Sequence, residues 1–153
     1  MSDIDFGRFD ALTFDTYGTL IDWERGILDA LQPVLAFHDV DVGEDELLER
    51  YARHEARVEA GKYQRYRDVL GLSLRGLCEE IGINPTKGQV AAFSNSVGAW
   101  PAFPDSARAL LRLATRFRLG VITNCDYDLF AASNLRLGVE LDWVVSALIA
   151  KAY

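Results

Sequence analysis

Cysteine is scarce in this sequence: Cys78 and Cys125 are the two among 153 residues. Two thiols cannot build a disulfide framework, and no Cys/His spacing suits zinc. Basic charge is also short, with 16 Lys and Arg against 23 Asp and Glu and a formal net charge of −7. A chain without a broad basic surface has little to attract nucleic-acid phosphates or anionic lipid, which excludes both as general partners. No apolar run approaches the roughly 18–20 residues that span a bilayer. The N-terminal Met1-Ser-Asp-Ile-Asp-Phe is acidic and lacks the basic-then-apolar order of a secretion signal, so a cytoplasmic protein is expected. Repeats, low-complexity tracts and long flexible linkers are missing too. What is there is half apolar and a quarter charged, the balance of an ordinary globular domain long enough to bury a core.

The pattern along the chain alternates strands and helices. Phe9-Asp-Ala-Leu-Thr-Phe-Asp15 is a short β-prone run ending in an acid, followed at once by the glycine turn Tyr17-Gly18-Thr19. A parallel strand that stops at such a turn is a natural place for chemistry, because ligands gather beyond the carboxyl ends of strands in open α/β sheets. Residues 22–99 are helical in character. Leu28, Leu31, Val34 and Leu35 recur at helical spacing, and further helices are expected over about 44–59, 63–81 and 86–97. Trp100-Pro-Ala-Phe-Pro104 is a stiff non-helical connector. Asp105 then suits the N-cap of another helix, Leu119-Gly-Val-Ile-Thr123 reads as a buried strand, 127–137 as a helix, and Trp143-Val-Val-Ser146 as a third strand. This order predicts a doubly wound α/β domain with an all-helical insertion after its first strand.

Phe14-Asp15-Thr16-Tyr17-Gly18-Thr19-Leu20 closely resembles the first motif of the haloacid dehalogenase superfamily, and Val121-Ile122-Thr123-Asn124 is similar to its second. The resemblance implies a Rossmann-like core formed by 1–21 and 100–153, with a helical cap at 22–99 and a sheet that is incomplete. Two residues after the nucleophile, phosphatase-like members carry a second Asp that protonates the leaving alcohol. Here Tyr17 stands there, and a phenol with an ordinary pKa near 10 replaces that acid poorly. Asp15-Thr-Tyr-Gly-Thr is instead similar to the (S)-2-haloacid dehalogenase branch, whose halide leaves without a proton.

That likeness implies covalent catalysis. Asp15 attacks the carbon bearing the halogen of a small halogenated carboxylic acid, with inversion, and water hydrolyses the resulting ester to a 2-hydroxy acid. Amides near Thr16 and Tyr17 hold the substrate carboxylate or the oxyanion. Thr19 and Thr123 fix the Asp15 rotamer, and Asn124 contributes to the leaving-group or carboxylate pocket. No metal and no other cofactor is implied, and a homodimer is compatible. A cap arginine is expected to receive the halide; Arg50, Arg53 and Arg57 share one candidate helix, and Arg53 is the choice among them. Cys125 has no histidine nearby in sequence to activate it, and His38 and His54 read as surface or cap residues. Tyr63 and Tyr66, with Tyr51 and Trp23, fit either an apolar pocket or ordinary helix packing.

The superfamily's third motif, a Lys shortly after the third strand, and its later acidic cluster have no clear counterpart. Lys151 sits early for the role, and Leu148 stands where an acid is common. The expectation is therefore a C-terminally truncated chain with little turnover, whose Asp15 strand is an exposed edge open to pairing. Two alternatives stand beside the dehalogenase reading: a magnesium-dependent phosphatase of the same superfamily, and a non-catalytic protein that keeps the fold.

Overall fold

Ala11–Phe14 (β1), Arg118–Thr123 (β2) and Trp143–Ser146 (β3) form a parallel sheet in the order β1-β2-β3. The computed structural model describes residues 5–150, so Lys151 and its expected role lie outside the described residues. Ala11 pairs with Arg118 and Phe14 with Val121; Gly120 pairs with Trp143 and Thr123 with Ser146. β2 is the central strand among the described residues, with Leu119 and Val121 buried. β1 lies at an edge of this three-stranded sheet. It is shorter than the apolar run suggested, because pairing with β2 covers only Ala11–Phe14 and leaves Phe9 half exposed.

Four helices separate β1 from β2: α1 (Trp23–Phe37), α2 (Glu44–Glu59), α3 (Tyr66–Glu80) and α4 (Lys87–Ser94). α5 (Ser106–Ala114) leads into β2, α6 (Tyr127–Leu137) joins β2 to β3, and the short α7 (Ala147–Ala150) follows β3. The boundaries of α2 and α6 agree with the periodicity. Those of α3 and α4 differ for physical reasons. α3 starts at Tyr66 rather than near 63, because the buried carboxylate of Asp126 accepts the amides of Tyr66 (3.2 Å) and Arg67 (3.1 Å) at its first turn. α4 opens on a Thr86/Gln89 capping box and ends at Ser94, where Asn95 folds its side chain back onto the Ala91 carbonyl at 2.7 Å; a 3-10 turn over Ser96–Ala99 follows. Asp105 holds the N-cap position of α5 without a capping side-chain bond. Ser106 secures that end instead, donating its hydroxyl to the Leu20 carbonyl at 2.9 Å.

One core runs through sheet and helices, and Trp100 sits where the helical block returns to the sheet. Its indole is 1% exposed and donates Nε1–H to the Ser96 hydroxyl at 3.0 Å. Gly26 on α1 lets it fit: a Cβ there would lie 2.2 Å from Trp100 Cγ and 2.6 Å from its Cβ. Gly26→Ala should therefore destabilise despite the better helix propensity of alanine, which is worth up to about 1 kcal/mol. Overpacking of this kind costs about 1–3 kcal/mol. A urea melt should show a net loss; unchanged or increased stability would mean that the Trp100 contact yields easily.

Candidate active site

The sheet's carboxyl ends meet the helical block around a cavity of about 310 Å³. Asp15 reaches it from the turn after β1, and Ile122, Thr123 and Asn124 from the end of β2. The opposite walls come from the helical block: Trp23 of α1, Glu55 of α2 and Tyr66 of α3, with Tyr17 beside Asp15. Tight local bonding builds the Asp15 turn. The Thr16 carbonyl accepts the amides of Thr19 (3.4 Å), Leu20 (2.8 Å) and Ile21 (2.9 Å), while Gly18, at φ 94°, donates to the Ile21 carbonyl at 2.8 Å. That positive φ favours glycine. The amides of Thr16 and Tyr17 make no hydrogen bond among the described residues. The Thr16 side chain is fully buried, with its hydroxyl unpartnered among the described residues.

Thr19 donates its hydroxyl to Asp15 Oδ2 at 2.9 Å and so orients that carboxylate. Among the described hydrogen bonds, Thr123 makes none to Asp15. Its Oγ1 accepts the Cys125 amide at 3.2 Å, which leaves its own proton for another acceptor. Ser146 at the end of β3 braces the same loop by donating to the Cys125 carbonyl at 2.7 Å. Asn124 donates Nδ2–H to Glu59 Oε1 at 3.3 Å, tying the end of β2 to α2. Arg67 of α3 reaches the N-terminus of α6 by an ion pair with Asp128 at 2.7 Å. The Cys125 thiol is buried, which pushes its pKa up to about 12 and makes it an inert neighbour.

Tyr17 contributes its ring and withholds its hydroxyl. The ring stacks on Tyr66 at 6.4 Å and meets Trp100 edge-on at 5.5 Å, while the phenol oxygen lies 3.2 Å from Ser133 Oγ, away from solvent. Burial, with Cys125 alongside, raises its pKa far above that of an ordinary phenol.

Arg53 is not brought to this site. It projects from the other side of α2 and pairs with Glu49 at 3.2 Å and Glu80 at 3.1 Å. Arg50 is likewise held by Glu46 at 2.5 Å and Glu80 at 3.3 Å. His54 completes that cluster, 2.7 Å from Glu80. Sequence reasoning passed over Glu55 as a cavity residue. Its Oε1 accepts the hydroxyls of Tyr51 (3.1 Å) and Tyr66 (2.9 Å). Burial raises its pKa, and the nearby Glu59 adds to the effect, against the lowering influence of the two phenols. The available signal was helical: Leu47, Tyr51 and Glu55 recur every fourth residue, which places an acid on the buried face of α2.

Among the described residues, no group of three His, Cys, Asp or Glu side chains is placed to hold a metal ion. Asp15 has no second carboxylate in its own turn, since Tyr17 occupies the position two residues on. No described helix is long and apolar enough to cross a membrane.

Together, the parallel sheet, the helical block after its first strand and the acid at that strand's end define the haloacid dehalogenase-type fold. No protein-family model matches the sequence, and no curated protein matches it. Solved structures do. A defluorinating L-2-haloacid dehalogenase is similar over 95% of this chain with a TM-score of 0.81 and 21% identity. The L-2-haloacid dehalogenase of Xanthobacter autotrophicus, with chloropropionic acid covalently bound, covers 95% with a TM-score of 0.80 and 19% identity. A HAD-type hydrolase from Bacillus subtilis bound to magnesium covers 93% with a TM-score of 0.75 and 16% identity. The chain spans 63%, 59% and 66% of the lengths of these three structures.

Proposed function

We propose that this protein is a hydrolase that cleaves the carbon–halogen bond of small 2-haloalkanoic acids through an ester on Asp15. On this reading 1–21 and 100–153 form the catalytic core, 22–99 is its cap, and the cytoplasm is its setting. The observation that carries the proposal is the placement of Tyr17. At the position where an alkoxide leaving group would need an acid, the phenol is turned inward to Ser133 and its pKa is raised. A halide leaves as a stable anion and needs no such donor, so the site suits carbon–halogen cleavage and disfavours phosphate-ester cleavage.

The steps follow from the chain's own residues. Thr19 holds Oδ2 of Asp15 and leaves Oδ1 to attack the carbon opposite the halogen. The carbon–halogen electron pair departs with the halide as the new carbon–oxygen bond forms. The Thr16 and Tyr17 amides and the Thr123 hydroxyl proton are the donors for the substrate carboxylate. Arg53 has no part in this scheme, because its charge is committed to Glu49 and Glu80.

The test is halide release from (S)-2-chloropropionate with and without EDTA, beside phosphate release from p-nitrophenyl phosphate with magnesium. Chloride release that EDTA leaves unchanged, however slow in this chain, with no phosphate release, is the expected result. Magnesium-dependent phosphatase activity without chloride release would replace this reading with the phosphatase one.

A further inference from the structure

We propose that a cavity at the C-terminal end of α5 is a second binding site, for a phosphate ester that carries a flat ring, of the nucleoside diphosphate class. It lies at the amino end of β2, whereas Asp15 lies beyond the carboxyl end of the parallel β1, so it is separate from the candidate active site. Its volume is about 430 Å³, within the roughly 300–1,000 Å³ that small-molecule sites occupy. Arg112, Thr115 and Arg116 form its polar side, and Ala109, Leu113 and Phe117 its apolar side.

Charge sets this place apart from the rest of an acidic molecule. Four of the chain's 16 Lys and Arg residues, Arg108, Arg112, Arg116 and Arg118, fall between 108 and 118, a stretch without Asp or Glu. All four are exposed. The arginine ion pairs among the described residues engage Arg25, Arg50, Arg53 and Arg67, and none of these four. Arg116 lies over the Phe117 ring at 5.1 Å and Arg118 over the Trp143 ring at 5.7 Å, contacts that leave their charge uncompensated. Complementing the helix dipole does not account for the cluster. Arg112 in the last turn of α5 does so, but Arg108 in the first turn opposes it.

The end of the helix does not repel an anion here, because its carbonyls are covered. The Arg112 carbonyl accepts the Thr115 hydroxyl at 2.7 Å, and the Leu113 carbonyl accepts the amides of Arg116 (3.0 Å) and Phe117 (2.9 Å). These bonds also carry the helical turn on to Phe117. Arg112 and Arg116, four positions apart, therefore fall on one side of it, at the cavity. Two guanidinium forks on one cavity suit the oxygens of a phosphate or diphosphate, which each fork can bind through two N–H groups. A flat ring attached to the phosphate can stack on a guanidinium and bury itself against Ala109, Leu113 and Phe117.

The experiment is calorimetric titration of the full chain, without magnesium, with ADP, adenosine and inorganic pyrophosphate. ADP should bind saturably below about 1 mM, and adenosine and pyrophosphate each about tenfold or more weakly, since each lacks one half of the recognition. Arg112→Gln and Arg116→Gln should each weaken ADP about tenfold without lowering the melting temperature, because both side chains are exposed. Arg75→Gln removes an exposed arginine of α3 outside this cavity and should leave the affinity within about twofold. Absence of saturable ADP binding would overturn the proposal, as would an affinity that R112Q and R116Q leave unchanged. An equal loss in R75Q would overturn it too, by showing a response to overall charge. Pyrophosphate bound as tightly as ADP would overturn the ligand class. None of these outcomes depends on the chemistry at Asp15.

Discussion

Asp15→Asn should abolish chloride release, by about a thousandfold or more, while leaving the fold intact. The substitution is nearly isosteric, and the new amide oxygen can still accept the Thr19 hydroxyl that now bonds Oδ2 at 2.9 Å. Asp15 is exposed beyond the end of β1, so no core packing changes with it. What changes is the lone-pair chemistry: an amide oxygen is a far weaker nucleophile than a carboxylate. The measurement is chloride release together with a thermal melt of each protein. A fall in activity accompanied by a fall in melting temperature would point to structure rather than to chemistry. Retained activity in a stable Asp15→Asn protein would remove Asp15 from the mechanism.

Trp100→Ala should cost about 3–5 kcal/mol, the usual range for emptying a large aromatic site in a core. The indole is 1% exposed and packs against Gly26, the Tyr17 ring and the Ser96 hydroxyl. Because it supports Tyr17 edge-on at 5.5 Å, the loss should also loosen the wall beside Asp15. A double-mutant cycle isolates the contact. Gly26→Ala is unfavourable with the indole present, because the two would overlap. In the Trp100→Ala background the added methyl should be neutral or stabilising. Denaturation midpoints of the four proteins check this, and additive effects would show that Gly26 and Trp100 do not constrain one another.

Much of the architecture was legible because its cues are local. Leu119–Thr123 and Trp143–Ser146 are short apolar runs between turns, and 44–59 and 127–137 carry a clean helical period. Gly138, at φ 62°, ends α6 as a glycine should. The errors arose where a distant residue decides. Tyr66 begins α3 because Asp126, sixty positions along the chain, accepts its amide. The same split divides the site. The Thr19 bond to Asp15 spans four residues and follows from the turn, whereas the Thr123 hydroxyl answers to its own loop. Arg53 lies away from the cavity for a rotational reason. Residues two apart on a helix differ by about 200°, so if Glu55 faces the cavity Arg53 cannot. Helix periodicity around Leu47 and Tyr51 would have pointed to Glu55, had an acid on a buried face been weighed as a signal.

The pairing of β1 also sets an order of assembly. Its described partner, β2, begins at Arg118, about a hundred residues beyond Ala11. The contacts among α1–α4 join segments that are near neighbours along the chain, and such contacts form faster than distant ones. On a ribosome the contacts among α1–α4 can therefore begin to form while β1 still lacks its partner, and β1 pairs with β2 only once β2 has emerged. Asp15, near the start of the chain, is thus among the last groups to reach its working position. A nascent chain that stalls before β2 would hold its nucleophile on a strand that still lacks its described partner.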